Sequence, residues 1–562
     1  MTTYHRFGLA VAATLLVAAC GGKNDGKPAE KAIDAGTSAA IAGDDLALHI
    51  ATLASDEFEG RAPGTPGGEK TRNYIISQYE RIGLVPAGDS YLQKAPMVET
   101  TLDPATSYFR ITGADGETRD LEYRKDAVFG SRRIEEHVSF EDSDLVFVGY
   151  GVVAPEYGWN DYEGLDVEGK TVVILVNDPG FATQDPDLFN GNAMTYYGRW
   201  TYKYEEASRQ GATAAMVIHD TAPAAYGWGV VERSWSGPQL DLERPGGASD
   251  RVMAEGWFSN ETAHALFAEA GLDLNELQAA AAAPGFKPVE MTGLKASASL
   301  TSAIRRSEDA NVIGVLEGSE RPDEYVLYMG HWDHLGVNPE TDGDDKIFNG
   351  AIDNATGIAA ILEIAEKFAA SENRPKRSII FAAVTAEESG LLGSGYMAED
   401  PPVPLKQIVG GINIDALLPM PEAKDIIVVG HGASDLEDYL ASAAKAHDRR
   451  LRPDAEPEKG YFYRSDHISF AKKGVPMLYA DSGIDLREGG EEEGRKYSED
   501  YTANRYHAPA DEYDESWEMS GMVDLVEILQ ETGAALAETE DWPNWREGNE
   551  FRALRDAQRA GD

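Results

Sequence analysis

Cysteine is almost absent: the 562 residues contain one, Cys20. A single thiol excludes an internal disulfide and any zinc site built on thiolates. Basic residues are outnumbered, 50 Lys and Arg against 97 Asp and Glu, for a formal charge of −47. Such a surface repels phosphate backbones, which argues against a nucleic-acid partner, and it offers no attraction to anionic lipid. Past the first twenty residues no apolar run is long enough to span a bilayer. No segment repeats. What is present is a 42% apolar chain with 25 Tyr, 17 Phe and 9 Trp. That is enough for two cores, or for one domain with a large insertion.

The opening stretch, MTTYHRFGLAVAATLLVAAC, has a positive start at Arg6, an apolar run from Phe7 to Val17 and small residues before the cysteine. It is short for a membrane span and is read as a signal peptide over 1–20. LVAAC followed by Gly21 resembles the bacterial lipoprotein cleavage box, so Cys20 is the expected lipidation site. The expectation is an exported bacterial protein, held by a lipid anchor in the periplasm or at the outer membrane or cell surface. Residues 21–42 have no apolar period and are read as a flexible linker.

From 43 to 139 the pattern is helical at first. Thr71, Tyr74, Ile75, Gln78, Tyr79 and Ile82 share one face at helix spacing. Between 140 and 297, short runs such as SDLVFVGYGVV and KTVVILVND are broken by Gly, Pro and Asp, which marks an inserted β-rich unit. From 298 to 540, near-continuous apolar strands (EYVLYMG, RSIIFAAVT, IVGGINIDAL, DIIVVGHG, VPMLYAD) alternate with helical stretches. This predicts an α/β fold: a mostly parallel central sheet with helices on both faces. Residues 541–562 form a polar tail expected to fray.

In such sheets ligands gather at the carboxyl ends of strands. His331 and Asp333 follow EYVLYMG, Asp353 stands before a helix, Glu387 and Glu388 follow SIIFAAVTA, and Asp415 follows IVGGINI. Tyr506, His507 and Asp511 come late, in RYHAPADE. Imidazole and carboxylate are zinc ligands when thiolate is absent. Five are too many for one catalytic zinc and suit two zinc ions sharing a carboxylate. Manganese or cobalt fits the same donor set. One glutamate of the adjacent pair then binds metal, and the other is free to take a proton. His334, His431 and His467 lie in similar loops but are not read as metal ligands.

The stretches GHWDHLG, GAIDNATG, TAEESGLLGS, NIDAL, RSDHISFAKKGVPMLY and YHAPADE occur in one order over about 310–535. In this the chain resembles the co-catalytic two-zinc aminopeptidases, the group of secreted bacterial aminopeptidases and glutamate carboxypeptidase II. The insertion resembles a protease-associated domain. The resemblance implies a zinc exopeptidase fold and roles by position. His331 and Asp415 would hold one Zn2+ and Glu388 and His507 the other, with Asp353 bridging through a cis peptide to Asn354. Glu387 would be the general base and acid, acting on a hydroxide shared by the two metals. Tyr506 would donate to the oxyanion. Asp333 would orient His331 from behind, with Asp511 in a similar supporting position. Asp466, His467 and Arg464 are candidates for substrate binding. The implied activity is removal of N-terminal residues from peptides. Alternatives of the same fold are a metallo-carboxypeptidase or dipeptidase, a glutaminyl cyclase, and a non-catalytic peptide-binding or receptor-like module. Nothing in the sequence speaks to oligomeric state.

Overall fold

A computed structural model describes residues 40–560 except 342. The expected signal peptide, Cys20 and most of the linker lie outside the described residues. Four strands run parallel at the centre of the main sheet, in the order Arg377–Val384, Arg321–His331, Ile408–Asn413 and Met477–Asp481. All eight positions of Arg377–Val384 are buried. Side chains alternate across a strand, and both faces are covered here. Ile379, Phe381 and Ala383 pack into one hydrophobic cluster, with helix residues such as Ile358, Ile361, Leu525 and Leu529. Ile380, Ala382 and Val384 pack into another, with Met397, Phe470 and Trp545. Only the centre is parallel. The end of Val289–Leu316 joins one side antiparallel, extended by Leu92–Leu102 and Pro238–Leu242. Asp425–Val429 joins the other side antiparallel.

Local chemistry explains the helices that hold this sheet. Helix Pro66–Ile82 starts with Thr65 accepting from the Gly68 N–H and Pro66 in the first turn. It stops at Gly83, whose φ of 88° suits a residue without a side chain. Of the predicted face, Thr71, Ile75, Gln78, Tyr79 and Ile82 are buried and Tyr74 is half-buried. Helix Thr356–Ala370 buries Ile358, Ile361, Leu362, Ala365 and Phe368 along one stripe and most of its other faces too. Among the described residues no helix is long and apolar enough to cross a membrane.

A second sheet holds parallel strands Thr171–Leu175, Ala214–Ile218 and Ala254–Phe258, with helices such as Trp200–Arg209 between them. It begins earlier than residue 140: Tyr108–Thr112, Thr118–Asp120 and Ala127–Gly130 all belong to it. The 28-residue strand Val289–Leu316 runs through both sheets. The second sheet thus takes in strands on both sides of residue 140, and with its helices it is mixed α/β. The polar tail does not fray over its described part. Trp545 is fully buried and donates to the Gly474 carbonyl at 3.0 Å. Helix Arg552–Arg559 anchors through Arg555, which donates to the Ile408 carbonyl at 2.7 Å.

Candidate metal centre

Strand ends and the loops beside them deliver the site. Arg321–His331 closes on His331, and Glu387 and Glu388 follow Arg377–Val384. Asp415 follows Ile408–Asn413. Asp353 occupies the turn before helix Thr356–Ala370, and its peptide bond to Asn354 is cis. His507 arrives on the loop after Tyr501–Arg505.

These side chains converge as two clusters with a shared member. His331 Nε2 lies 3.2 Å from Asp353 Oδ1 and 3.2 Å from Asp415 Oδ1. His507 Nε2 lies 3.2 Å from Asp353 Oδ2 and 3.0 Å from Glu388 Oε2. Asp353 thus turns one oxygen to each cluster. Tetrahedral zinc with bonds of about 2.0–2.2 Å sets neighbouring donors roughly 3.3–3.6 Å apart. The 3.0–3.2 Å contacts of both clusters lie just inside that spacing, and the donor set of imidazole and carboxylate fits the ion.

The electrostatics are those of a site built around cations. Burial works against a charged His331, yet the carboxylates of Asp415 and Glu387 outweigh it and hold its pKa well above the ordinary value. His507 behaves alike: burial lowers it, but its bonds to Asp353 and Glu388 raise it to about 10. The adjacent glutamates are driven apart. Burial pushes Glu387 well up, against the pull of His331 and aided by Glu388 and Asp415. For Glu388, burial and Asp353 push up, but hydrogen bonds to His334 and His507 bring it below the usual value. Two carboxyls with separated proton affinities can take separate roles.

A polar scaffold fixes the cage. The Asp511 carboxylate accepts from the Ile352 N–H at 3.0 Å and the Asp353 N–H at 3.1 Å. Asn354 donates to the Ile414 carbonyl and accepts from the Ala416 N–H, gripping both sides of Asp415. Ser465 donates to Asp415 Oδ2 at 2.7 Å. Ala386, Ala416 and His507 all sit at φ of 53–54°, a left-handed conformation that costs a non-glycine residue about 1–3 kcal/mol and clusters at functional sites.

Several sequence expectations need revision. His334, not read as a metal ligand, is buried beside the second cluster, with Nδ1 2.7 Å from Glu388 Oε1. His334, Asp353 and Glu388 themselves form a possible metal-holding group. Asp333 does not reach His331 with its carboxylate, which lies 3.8 Å from Nδ1. The Asp333 backbone carbonyl is nearer, at 3.1 Å, and Oδ1 instead accepts the Glu387 N–H. Asp466 and His467 are fully buried and offer no surface to a substrate. The His467 ring packs between Phe462 and Tyr479, and burial pushes its pKa down to about 3. Tyr506 is 50% exposed and stacks on His507, ring centroids 3.9 Å apart. Burial, then Asp353 and Glu388, raise its pKa, so it remains a donor.

Arg61 was not singled out by the sequence patterns. Its buried guanidinium donates to the carbonyls of Trp332, Leu53, Asn349 and Gly350. Burial lowers its pKa to about 10, with Asp511 and Asp353 pulling it back up. It ties the first helices to the loops bearing His331 and Asp353 and places a fixed positive charge behind the carboxylates.

Residues 311–528 match the model of peptidase family M28. A probable zinc metalloprotease of Pyrenophora teres f. teres (strain 0-1) is 40% identical over 105 residues, 18% of this chain and 22% of that protein. Aminopeptidase NAALADL1 of Mus musculus is 33% identical over 139 residues, 24% of this chain and 17% of its own length. The chain thus spans less than a quarter of these curated relatives. Among solved structures, an aminopeptidase from Aneurinibacillus sp. strain AM-1 aligns over 90% of this chain and 95% of its own, at 19% identity and a TM-score of 0.46.

Proposed function

From a chain whose residues 311–528 carry a peptidase family M28 domain, we propose a zinc-dependent exopeptidase, in the first place an aminopeptidase acting on peptides. The carrying observation is Asp353 turning one oxygen to the His331–Asp415 pair and the other to the His507–Glu388 pair. His331, Asp353 and Asp415 would hold one zinc, and Asp353, Glu388 and His507 a second. When bound, the ions supply Lewis acidity toward a peptide carbonyl and a water made nucleophilic at neutral pH.

The rest is the work of the chain's own side chains. Glu387 has the high proton affinity that a base needs in order to take a proton and return it to the leaving amine. Its backbone is pinned by Asp333 at 3.1 Å. Tyr506 stacks on His507 and, as a protonated phenol, would donate to the carbonyl oxygen as charge develops there. Arg61 and Asp511 keep the cage in place while charge moves.

A digest of a free-peptide library with end-group analysis, run with and without chelator, tests this reading. Single residues released from the N-terminus, and none after metal removal, are expected. Release from the C-terminus would transfer the protein to the carboxypeptidases, and cyclisation of N-terminal Gln to the glutaminyl cyclases. Metal-independent or absent cleavage would end the proposal.

The second-sheet unit is proposed as a protease-associated domain bordering substrate access. The protein is further proposed to be exported and tethered by lipid at Cys20, on the strength of LVAAC followed by Gly21. Fatty-acid labelling that failed to mark Cys20 would remove the anchor.

A further inference from the structure

Tyr506 is half exposed, and among the described residues its phenol makes no hydrogen bond. Ring contacts hold it instead. One face stacks on His507, with centroids 3.9 Å apart and planes 23° from parallel. The Tyr501 ring meets it edge-on, at 5.9 Å and 67°. Stacked-offset and edge-on pairs are the geometries that aromatic rings favour.

Tyr501 itself is anchored. It follows helix Gly490–Asp500 and is 9% exposed. Its N–H donates to the Tyr497 and Ser498 carbonyls. Its own carbonyl accepts the Tyr506 N–H at 2.9 Å, which closes the turn Tyr501–Arg505. Ring and backbone of Tyr501 thus both reach Tyr506. The Tyr501 hydroxyl is enclosed and has no hydrogen-bond partner in the chain. Burial, then the carboxylates of Asp353, Asp511 and Asp415, hold its pKa above the ordinary value. An enclosed O–H without an acceptor destabilises a fold, so the hydroxyl is not what keeps Tyr501 in place; the ring is.

A side chain open to water samples several rotamers unless its neighbours fix one. A donor meant for a developing oxyanion has to wait in place, because a misplacement of about 1 Å can cost roughly 100-fold in rate. We propose that Tyr501 is the positioning residue for Tyr506: its buried ring, fixed at the end of helix Gly490–Asp500, keeps the exposed phenol stacked on His507 of the second donor cluster. This rests on the oxyanion role proposed for Tyr506 and adds the group that sets its orientation. The device needs an aromatic edge at position 501 and no hydroxyl there.

The test measures kcat and KM on leucine 4-nitroanilide for the zinc-loaded enzyme and for Y501F, Y501L, Y506F and Y501L/Y506F, with zinc content and melting temperature for each. Y501L should lose about 3–10-fold in kcat, the worth of an edge-on aromatic pair, with KM and bound zinc unchanged. Y501F, the conservative variant that keeps the ring, should restore kcat and melt no lower than the unmodified protein. Y506F should lose more, and in its background Y501L should cost nothing further. Full kcat in Y501L, a loss in Y501F equal to that in Y501L, or a Y501L loss that persists in the Y506F background would overturn the proposal. If Y501L does not fold, Y501M, which fills similar space without an aromatic edge, takes its place. If Y506F keeps full activity, the oxyanion role has failed on its own, and if nothing is hydrolysed, so has the exopeptidase reading. Fluorine NMR of 3-fluorotyrosine placed at position 506 then decides the positioning separately. A resonance shifted from that of the free amino acid, and moved back toward it in Y501L but not in Y501F, supports the proposal; a resonance unmoved in Y501L refutes it.

Discussion

His334→Ala is expected to loosen one metal ion and spare the other. Glu388 divides its oxygens between two histidines: Oε2 faces His507 Nε2 at 3.0 Å, and Oε1 meets His334 Nδ1 at 2.7 Å. The His334 side chain is buried, so water does not readily replace it. Removing a hydrogen bond to a buried charged group costs about 1.5–3 kcal/mol. At roughly 1.4 kcal/mol per decade, that predicts a second ion held 10–100-fold more weakly, the range seen when outer-shell partners of metal ligands are removed. His331, Asp353 and Asp415 keep their mutual contacts, so the first ion should bind as before. Dialysis against zinc buffers spanning a wide range of free ion, followed by metal analysis, gives both affinities. The variant should hold one ion per chain at free zinc levels where the unmodified protein holds two. His334→Asn, which retains a donor, should recover part of the loss. Two ions bound with unchanged affinity in the alanine variant would show that His334 does not hold Glu388 in place, and the reasoning would fail.

Glu387→Gln should abolish turnover while leaving metal content near that of the unmodified protein, because Glu387 joins neither donor cluster; retained activity in metal-replete variant would remove it as the base. His467→Phe should flatten the acid limb of stability. The folded pKa of His467 is about 3 against an ordinary 6.5, so between those values the unfolded chain binds a proton that the folded chain does not. Its stabilising contribution is therefore complete above about pH 6.5 and is lost as pH falls toward 3. Melting temperatures should fall less steeply for the variant between pH 6.5 and 4; parallel curves would show that burial of His467 is not what acid disrupts.

The outline of the site was legible because its chemistry sits where the sequence texture breaks. Apolar runs that end in Asp, Glu or His mark strand ends, and the parallel centre of the sheet brings those ends to one edge. The second sheet was harder to delimit. Thr118–Asp120 is exposed at all three positions, so it has no apolar contrast to announce a strand. Among the described residues its one strand partner is Tyr108–Thr112, which pairs with the strand from Val289. The tail misled for the opposite reason: its polar composition hides Trp545 and Phe551, whose burial depends on a core formed by distant residues.

What could not be read at all is the orientation of polar side chains across long separations. His334 and Asp333 are neighbours in GHWDHLG, yet one grips Glu388 and the other the Glu387 backbone. A spacing pattern assigns both to the same loop and cannot say which points where. Asn354 is an ordinary helix-start residue by composition. Its function as a clamp appears only because residues 414 and 416, 60 and 62 positions away, present a carbonyl and an N–H to one amide. Arg61 is a stronger case: its hydrogen-bond partners are backbone carbonyls, groups that every residue has. Metal ligands are chosen by residue type and so leave a mark in the sequence. The groups that aim them are chosen by position in the folded chain, and the same side chain elsewhere would have no such effect.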